Sequence, residues 1–170
     1  INLLGSIVAG ASHRRLTDYF ADRFARPMQF GRYALWLMPP PANQAYMAGG
    51  DYFRPRDFLK FGELFLERGR WNGRHVIDAR WLKTIAVRRA TIEGGGGEYG
   101  YGWHLNTYEI DGKKISAINA GGNGGQLLFV FPQLDMTVMI TAANYNQYRV
   151  WRGFVENLMP EVVQAALKGR

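Results

Sequence analysis

The strongest constraint on the fold is a change of period near Tyr99, where helical spacing gives way to short strand-like runs. There are four runs, at 101–109, 114–120, 125–131 and 136–142. Asp111-Gly112 separates the first two, and an Asp-Gly pair between alternating apolar residues favours a type I′ hairpin. Short runs with tight connections predict an antiparallel meander of at least four strands.

The last two runs are apolar on successive residues, unlike a strand with one face in water. We therefore expect helices to cover the sheet. The segment 148–167 can supply one of them, and Pro160 should kink or split it. The predicted fold class is α/β of the α+β type, an antiparallel sheet meander covered by helices.

The residues before the meander have the apolar spacing of helices. A first helix over 1–10 is expected to break at Gly10-Ala11-Ser12, and a second over 13–25 to take Ser12 as its N-cap. We assign 1–98 to a mostly helical region and 99–170 to the sheet with its C-terminal helix. Together they form one incomplete domain.

Further helix signals lie in the middle of the chain. Pro55 is expected at the first position of a third helix, since its fixed φ suits that place. Gly69 is a plausible C-cap for this helix. Asp78 is expected to cap a shorter helix that follows.

The charge balance is basic, with 21 Lys and Arg against 14 Asp and Glu and a net charge of +7. The basic residues are dispersed and interleaved with acids, which indicates a solvated surface and no nucleic-acid partner. The absence of Cys excludes disulfides and thiol nucleophiles. No apolar run approaches the ~18 residues of a membrane span. A bacterial periplasmic and a cytoplasmic location both fit this composition.

The sequence opens on Ile1-Asn2-Leu3-Leu4, already inside an apolar pattern. Natural N-termini are usually polar and frayed. We therefore expect this chain to be part of a longer protein, with a segment that precedes Ile1.

Groups that could carry catalysis are few. The three serines are Ser6, Ser12 and Ser116, and none lies in a Ser-x-x-Lys or a Gly-x-Ser-x-Gly motif. The three histidines lack the spacing of metal ligands, and no carboxylate cluster stands beside them. We expect no metal site and no cofactor.

The segment with unusual chemistry is 119–126, Asn-Ala-Gly-Gly-Asn-Gly-Gly-Gln. Glycine lets a ligand approach the backbone closely, which leaves N–H groups free to bind a developing oxyanion. Asn119, Asn123 and Gln126 add amide donors nearby. A flexible hairpin loop without a ligand is the alternative interpretation.

Several segments in order resemble the serine beta-lactamase-related family, which includes class C beta-lactamases, DD-peptidases, esterases and amide hydrolases. The match covers nearly the whole chain, and its motifs are individually weak but specific in this order. The matching segments are Ile1–Val8, Gly49–Tyr52 with Arg56–Gly62, Gly69–Gly73, Tyr99–Trp103, Gly122–Gln126 and Pro132–Asp135.

The resemblance implies the C-terminal portion of the beta-lactamase/DD-peptidase-like fold and an acyl-enzyme mechanism. The family's Ser-x-x-Lys and Tyr-x-Asn are absent and would lie upstream, so this chain alone should be inactive. Asn119-Ala120-Gly121 matches the family's Lys-Thr-Gly strand motif. The N–H of Gly122 would then complete the oxyanion hole, or that of Asn123 if the register slips by one.

Other implied roles concern the substrate. Asn119, Gly121, Gln126 and Tyr101 are candidate substrate-binding residues. Asn119 carries no positive charge to hold a substrate carboxylate, which by analogy favours small neutral esters or amides. An exposed edge of the sheet could pair with another chain or with the missing N-terminal part.

Two alternatives to a hydrolase stay open at this point. One is a non-catalytic module of the same fold that binds peptides or cell-wall fragments. The other is an unrelated basic α+β binding domain.

Overall fold

The computed structural model describes residues 2–40, 44–92 and 97–169. It divides into two compact units, Ile1–Asp57 and Phe58–Arg170. The helices are α1 (Asn2–Ser12), α2 (Leu16–Phe20), α3 (Pro55–Leu66), α4 (Ala79–Ile85), α5 (Tyr148–Gly153) and α6 (Met159–Lys168). The strands are β1 (Arg70–Trp71), β2 (Arg74–His75), β3 (Ala90–Ile92), β4 (Gly97–Gly100), β5 (Trp103–Ile110), β6 (Lys113–Gly122), β7 (Gln126–Phe131) and β8 (Met136–Ile140).

In the first unit, α1 continues through Gly10 to Ser12, so the predicted break is wrong. The hydroxyl of Ser12 donates to the carbonyl oxygen of Val8 at 2.7 Å, a bond that helical serines make one turn back. The helix α2 begins at Leu16 and has Arg15, not Ser12, as its N-cap. A glycine costs a helix about 1 kcal/mol relative to alanine, which an otherwise apolar helix can tolerate.

The helix ends predicted in the middle of the chain are confirmed. Pro55 is the first residue of α3. Gly69 has φ 84° and donates its N–H to the carbonyl of Leu64 at 2.6 Å, which closes the end of that helix. Asp78 is the N-cap of α4, and its carboxylate accepts the N–H of Arg80 at 2.8 Å.

The second unit contains a six-stranded sheet in the order β3-β4-β5-β6-β7-β8, with every neighbouring pair antiparallel. The predicted meander and the α+β fold class are therefore confirmed. Asp111 and Gly112 have φ 50° and 74° and join the paired residues Ile110 and Lys113, as a type I′ turn requires.

A second turn with two positive φ angles shortens the first predicted strand. Tyr101 and Gly102, with φ 46° and 94°, connect Gly100 to its partner Trp103. The strand therefore begins at Trp103 and not at 101, because residues in the left-handed region reverse the chain. At the other end of the sheet order, β8 stops at Ile140, two residues before the predicted end.

Helices cover both faces of β7, as its continuous apolar sequence predicts. Leu127, Phe129 and Phe131 belong to a buried cluster with Met159 and Val163 of α6. The opposite face meets α3, where a Cβ on Gly62 would lie 3.3 Å from Leu128 Cδ1. On the same face Thr137 donates its hydroxyl to Glu63 at 2.7 Å. Because β7 has no solvent face, its side chains show no polar alternation.

The C-terminal segment stays helical over 148–168, and a π-helical turn directly before α6 is the irregularity found near Pro160. α5 is followed by a π-helical turn, Phe154–Leu158, and α6 then begins at Met159 with Pro160 in its first turn. Proline lacks an N–H, which a first helical turn does not need.

The two edge strands of the sheet are β3 and β8, and no strand among the described residues pairs with the outer side of β8. Pairing of this edge with another chain or with the rest of the protein stays a prediction. In the described part of the chain, no helix is long and apolar enough to cross a bilayer.

The buried Tyr108 should make the free energy of unfolding depend on pH. Its side chain is buried, and burial raises the pKa of the phenol from 10.0 to about 12. Between those values the unfolded chain releases a proton that the folded protein retains, so stability is complete below pH 10 and falls as pH rises towards 12. We expect Tyr108→Phe to lose less stability than the wild type over this range.

Urea-unfolding midpoints at pH 9 and pH 11 measure this difference. Tyr148→Phe, at an exposed tyrosine, is the matched control and should follow the wild type. Equal losses in wild type and Tyr108→Phe would contradict the prediction.

Candidate functional site

Three turns of the second unit meet at one end of the sheet. His104 of β5 pairs with Asn119 of β6, so the β4–β5 turn at Tyr101 lies beside the end of β6. Leu127 of β7 pairs with Ile140 of β8, so the chain leaves β8 at this same end. Antiparallel register therefore brings the glycine segment together with two regions distant in sequence.

The β6–β7 connection is a tight glycine turn. The carbonyl of Gly122 accepts the N–H of Gly125 at 3.1 Å, which defines a four-residue turn over 122–125. Gly124 and Gly125 have φ 110° and 89°, where side chains are disfavoured. A Cβ on Gly125 would also lie 2.8 Å from Trp151 Cβ. These two glycines are needed for the turn itself.

The backbone N–H groups of this segment point in two directions. A residue in an antiparallel ladder directs its N–H and C=O to the same neighbouring strand. The carbonyl of Gly122 faces the hairpin and Gly122 pairs with Gln126, so its N–H is directed to β7. Asn123 is the second residue of the turn, and its N–H makes no bond within the turn.

The strand β6 also extends past its other neighbour. Along β6, the pairing with β5 ends at Asn119, whereas the pairing with β7 continues to Gly122. No strand of the described residues is therefore paired with 120–122 on the β5 side. A ligand carbonyl could approach the backbone there.

The side chain of Asn123 is fixed by Asn146. Its amide nitrogen donates to Asn146 Oδ1 at 3.0 Å, and its Oδ1 accepts the backbone N–H of Asn146 at 2.9 Å. Gly124 accepts the N–H of Asn144 at 3.0 Å in a single antiparallel bridge. These bonds hold the turn in one conformation. Sequence analysis did not identify Asn144 or Asn146, although both lie in a polar segment directly after the last strand.

Gln126 and Gly121 lie at the turn, and both contact other residues of this chain. The amide nitrogen of Gln126 donates to the carbonyl of Ala142 after β8. Gly121 lies opposite Leu127, where a Cβ would approach Leu127 Cδ2 to 3.0 Å. Both are near the candidate site, and the bond to Ala142 occupies one of the two N–H donors of the Gln126 amide.

Asn119 is inside the protein. It is only 4% exposed, and its Oδ1 accepts the side-chain amide of Asn106 on β5. It shares a face with its partner Phe129 of the buried cluster. This geometry favours a structural role for Asn119, because a buried amide with a partner does not reach a substrate.

Tyr101, by contrast, is exposed at the same end of the sheet. Its ring lies 5.2 Å from that of Trp81, centroid to centroid. The Arg89 guanidinium lies 5.4 Å from its centroid.

The serines show no activated nucleophile. Ser6 donates to the amide oxygen of Gln44 at 2.6 Å, and Ser12 donates to a backbone carbonyl. Neither oxygen is a base able to accept the hydroxyl proton. Ser116 is exposed on β6. Among the described residues, its hydroxyl makes no hydrogen bond to a His or Lys side chain. Among residues 2–40, 44–92 and 97–169, no three His, Asp or Glu side chains form a metal-binding group.

An antiparallel sheet with helices on both faces and a glycine turn at one end defines an α+β protein. The sequence model of the Beta-lactamase family matches residues 1–150. The chain therefore belongs to the Beta-lactamase family. None of the curated proteins compared with it matches significantly.

Solved structures share the fold. A candidate beta-lactamase from Bacteroides dorei superposes with a TM-score of 0.62 at 18% identity, over 84% of this chain and 49% of that one. The octameric penicillin-binding protein homologue from Pyrococcus abyssi gives a TM-score of 0.62 at 17% identity, over 92% of this chain and 40% of that one. This chain thus spans half or less of the length of both.

Proposed function

We propose that this chain is the C-terminal part of a serine hydrolase that cleaves ester or amide bonds through an acyl-enzyme. Its own contribution is the oxyanion-binding turn and part of the substrate wall. The single observation that carries the proposal is the turn over 122–125, which is fixed by Asn146 and presents a backbone N–H not used within the turn.

The donor is the N–H of Asn123. Gly122 is the donor implied by the first alignment of the motif, but its carbonyl accepts from Gly125 and its N–H is directed to β7. A shift of one residue moves the role to Asn123. The burial of Asn119 supports this shift, because the charged residue of the family's motif has to reach substrate, whereas Asn119 is covered.

The nucleophile is a serine outside these 170 residues. None of the three serines precedes a lysine at the Ser-x-x-Lys spacing, and Ser6 and Ser12 donate to carbonyl-type oxygens. The family resemblance supplies a Lys and a Tyr that would accept the serine proton.

The reaction then proceeds in two transfers. Serine Oγ forms a bond to the substrate carbonyl carbon, and its proton passes to the Lys–Tyr pair. The carbonyl oxygen becomes an anion bound by Asn123 N–H, and its collapse expels an alcohol or amine that takes the proton. Water attacks the resulting ester, the Oγ–carbon bond breaks, and the acid leaves while Oγ regains a proton.

The test is acylation of the complete protein by p-nitrophenyl butyrate. We expect p-nitrophenol release and, by mass spectrometry, one butyryl group on the serine of a Ser-x-x-Lys outside this chain. Alanine at that serine should abolish both signals, and the isolated 170-residue chain should release no p-nitrophenol above background. A butyryl group on Ser6, Ser12 or Ser116 would overturn the placement of the nucleophile. A complete protein that binds peptides but is never acylated would be the non-catalytic module instead.

A further inference from the structure

An exposed aromatic pair forms where Trp81 of α4 contacts Tyr101 of the β4–β5 turn, outside the oxyanion turn. Trp81 is 45% exposed and Tyr101 is 55% exposed, and their ring centroids are 5.2 Å apart at an angle of 54°. Tyr101 is held there by a backbone φ of 46°. Large aromatic rings in mutual contact at the surface form an exposed apolar patch, which is a feature of ligand-binding surfaces.

A guanidinium completes this patch. The Arg89 guanidinium lies 5.4 Å from the centroid of the Tyr101 ring. Within the described part of the chain, Arg89 has no acidic partner, whereas its neighbour Arg88 donates to Glu98 Oε1 at 3.3 Å. Among the described residues, the two adjacent arginines therefore differ, because Arg88 has an acidic partner there and Arg89 does not.

The chemistry of such a patch is specific. A guanidinium near an aromatic ring through cation–π attraction keeps N–H donors for another group. Those donors match the two oxygens of a carboxylate. The adjacent Trp81 and Tyr101 rings can stack on a flat apolar group of the same ligand.

The patch lies at the same end of the sheet as the proposed oxyanion donor. Tyr101 and Gly102 connect β4 to β5, and β5 is the direct neighbour of β6, about 4.8 Å away. Trp103 follows the turn, and the next residue, His104, pairs with Asn119, four residues before Asn123.

We propose that Arg89, Tyr101 and Trp81 form a subsite for a carboxylate carried beside an aromatic ring. This rests on the proposed function, and it makes the substrate class aryl-bearing carboxylated esters or amides rather than the neutral ones that Asn119 indicated.

Binding of phenylacetate and of its neutral isostere phenylacetamide to the complete protein tests the subsite, measured by saturation-transfer NMR titration. We expect phenylacetate to bind about tenfold more tightly than the amide, and Arg89→Gln to remove that preference. Arg88→Gln is the matched control and should keep the preference. Tyr101→Asn, which tolerates the left-handed φ, should weaken both ligands.

Equal binding of acid and amide by the wild type, or a preference that survives Arg89→Gln, would overturn the subsite. A preference lost equally in Arg88→Gln would also overturn it, since the effect would then be net charge alone. Binding is read without turnover, so failure of acylation with the ligand preference intact contradicts only the proposed function.

Discussion

Asn123→Pro in the complete protein should lower kcat by about 10²–10³-fold, the usual loss on removal of one oxyanion donor. Proline removes the N–H that we assign to the oxyanion. The fold should tolerate it, because Asn123 has a negative φ and is the second residue of a turn whose third residue, Gly124, has φ 110°. Proline is common at that position of a type II turn.

The matched control is Asn123→Ala. It keeps the backbone N–H and removes both side-chain bonds to Asn146, so it separates the donor from the conformation of the turn. We expect kcat to fall much less in the alanine variant than in the proline variant. Steady-state kinetics with p-nitrophenyl butyrate measure kcat, and thermal unfolding verifies that both variants are folded. A folded Asn123→Pro protein with wild-type kcat would refute the assignment.

Phe129→Ala should lower the free energy of unfolding by about 3–5 kcal/mol, the cost of truncating a fully buried phenylalanine. Phe129 is at 0% exposure in the centre of β7. Its ring stacks on Phe131 at 6.0 Å and belongs to the cluster with Met159 and Val163 of α6. The truncation leaves a cavity between the sheet and α6, and the surrounding side chains can fill it only in part.

Urea denaturation measures this loss. Val87→Ala, at a valine that is 51% exposed, is the control and should change stability by less than about 0.5 kcal/mol. A loss of below about 1 kcal/mol for Phe129→Ala would show that the core at β7 is looser than its burial indicates.

The fold follows from local signals where those signals are strong. Asp111-Gly112 turns the chain between β5 and β6 as its sequence predicts, since few other residue pairs adopt two positive φ angles. The continuous apolar run of β7 predicts cover on both faces, and α3 and α6 provide it. Helix ends were less predictable. Gly10 and Ser12 have weak breaking tendencies, and α1 passes through both.

The candidate site was predictable in place but not in detail. The glycines at 121–125 identify a turn with accessible backbone. They do not reveal which N–H is free, because that depends on the register of β6 against β7. Asn119, Asn123 and Gln126 all carry a side-chain amide in the same segment. In the structure these amides bind three different residues, Asn106, Asn146 and Ala142, respectively.

The sequence by itself determined that a meander with tight turns follows a helical region, and that a glycine turn ends one of its strands. Period and turn chemistry are local properties, so they can be read residue by residue. Only the tertiary structure decided that Asn119 is buried, that Asn146 fixes Asn123, and that Arg89 lies against Tyr101. Each depends on strand register and on residues far apart in sequence, and a one-residue change of register reverses which groups face the site.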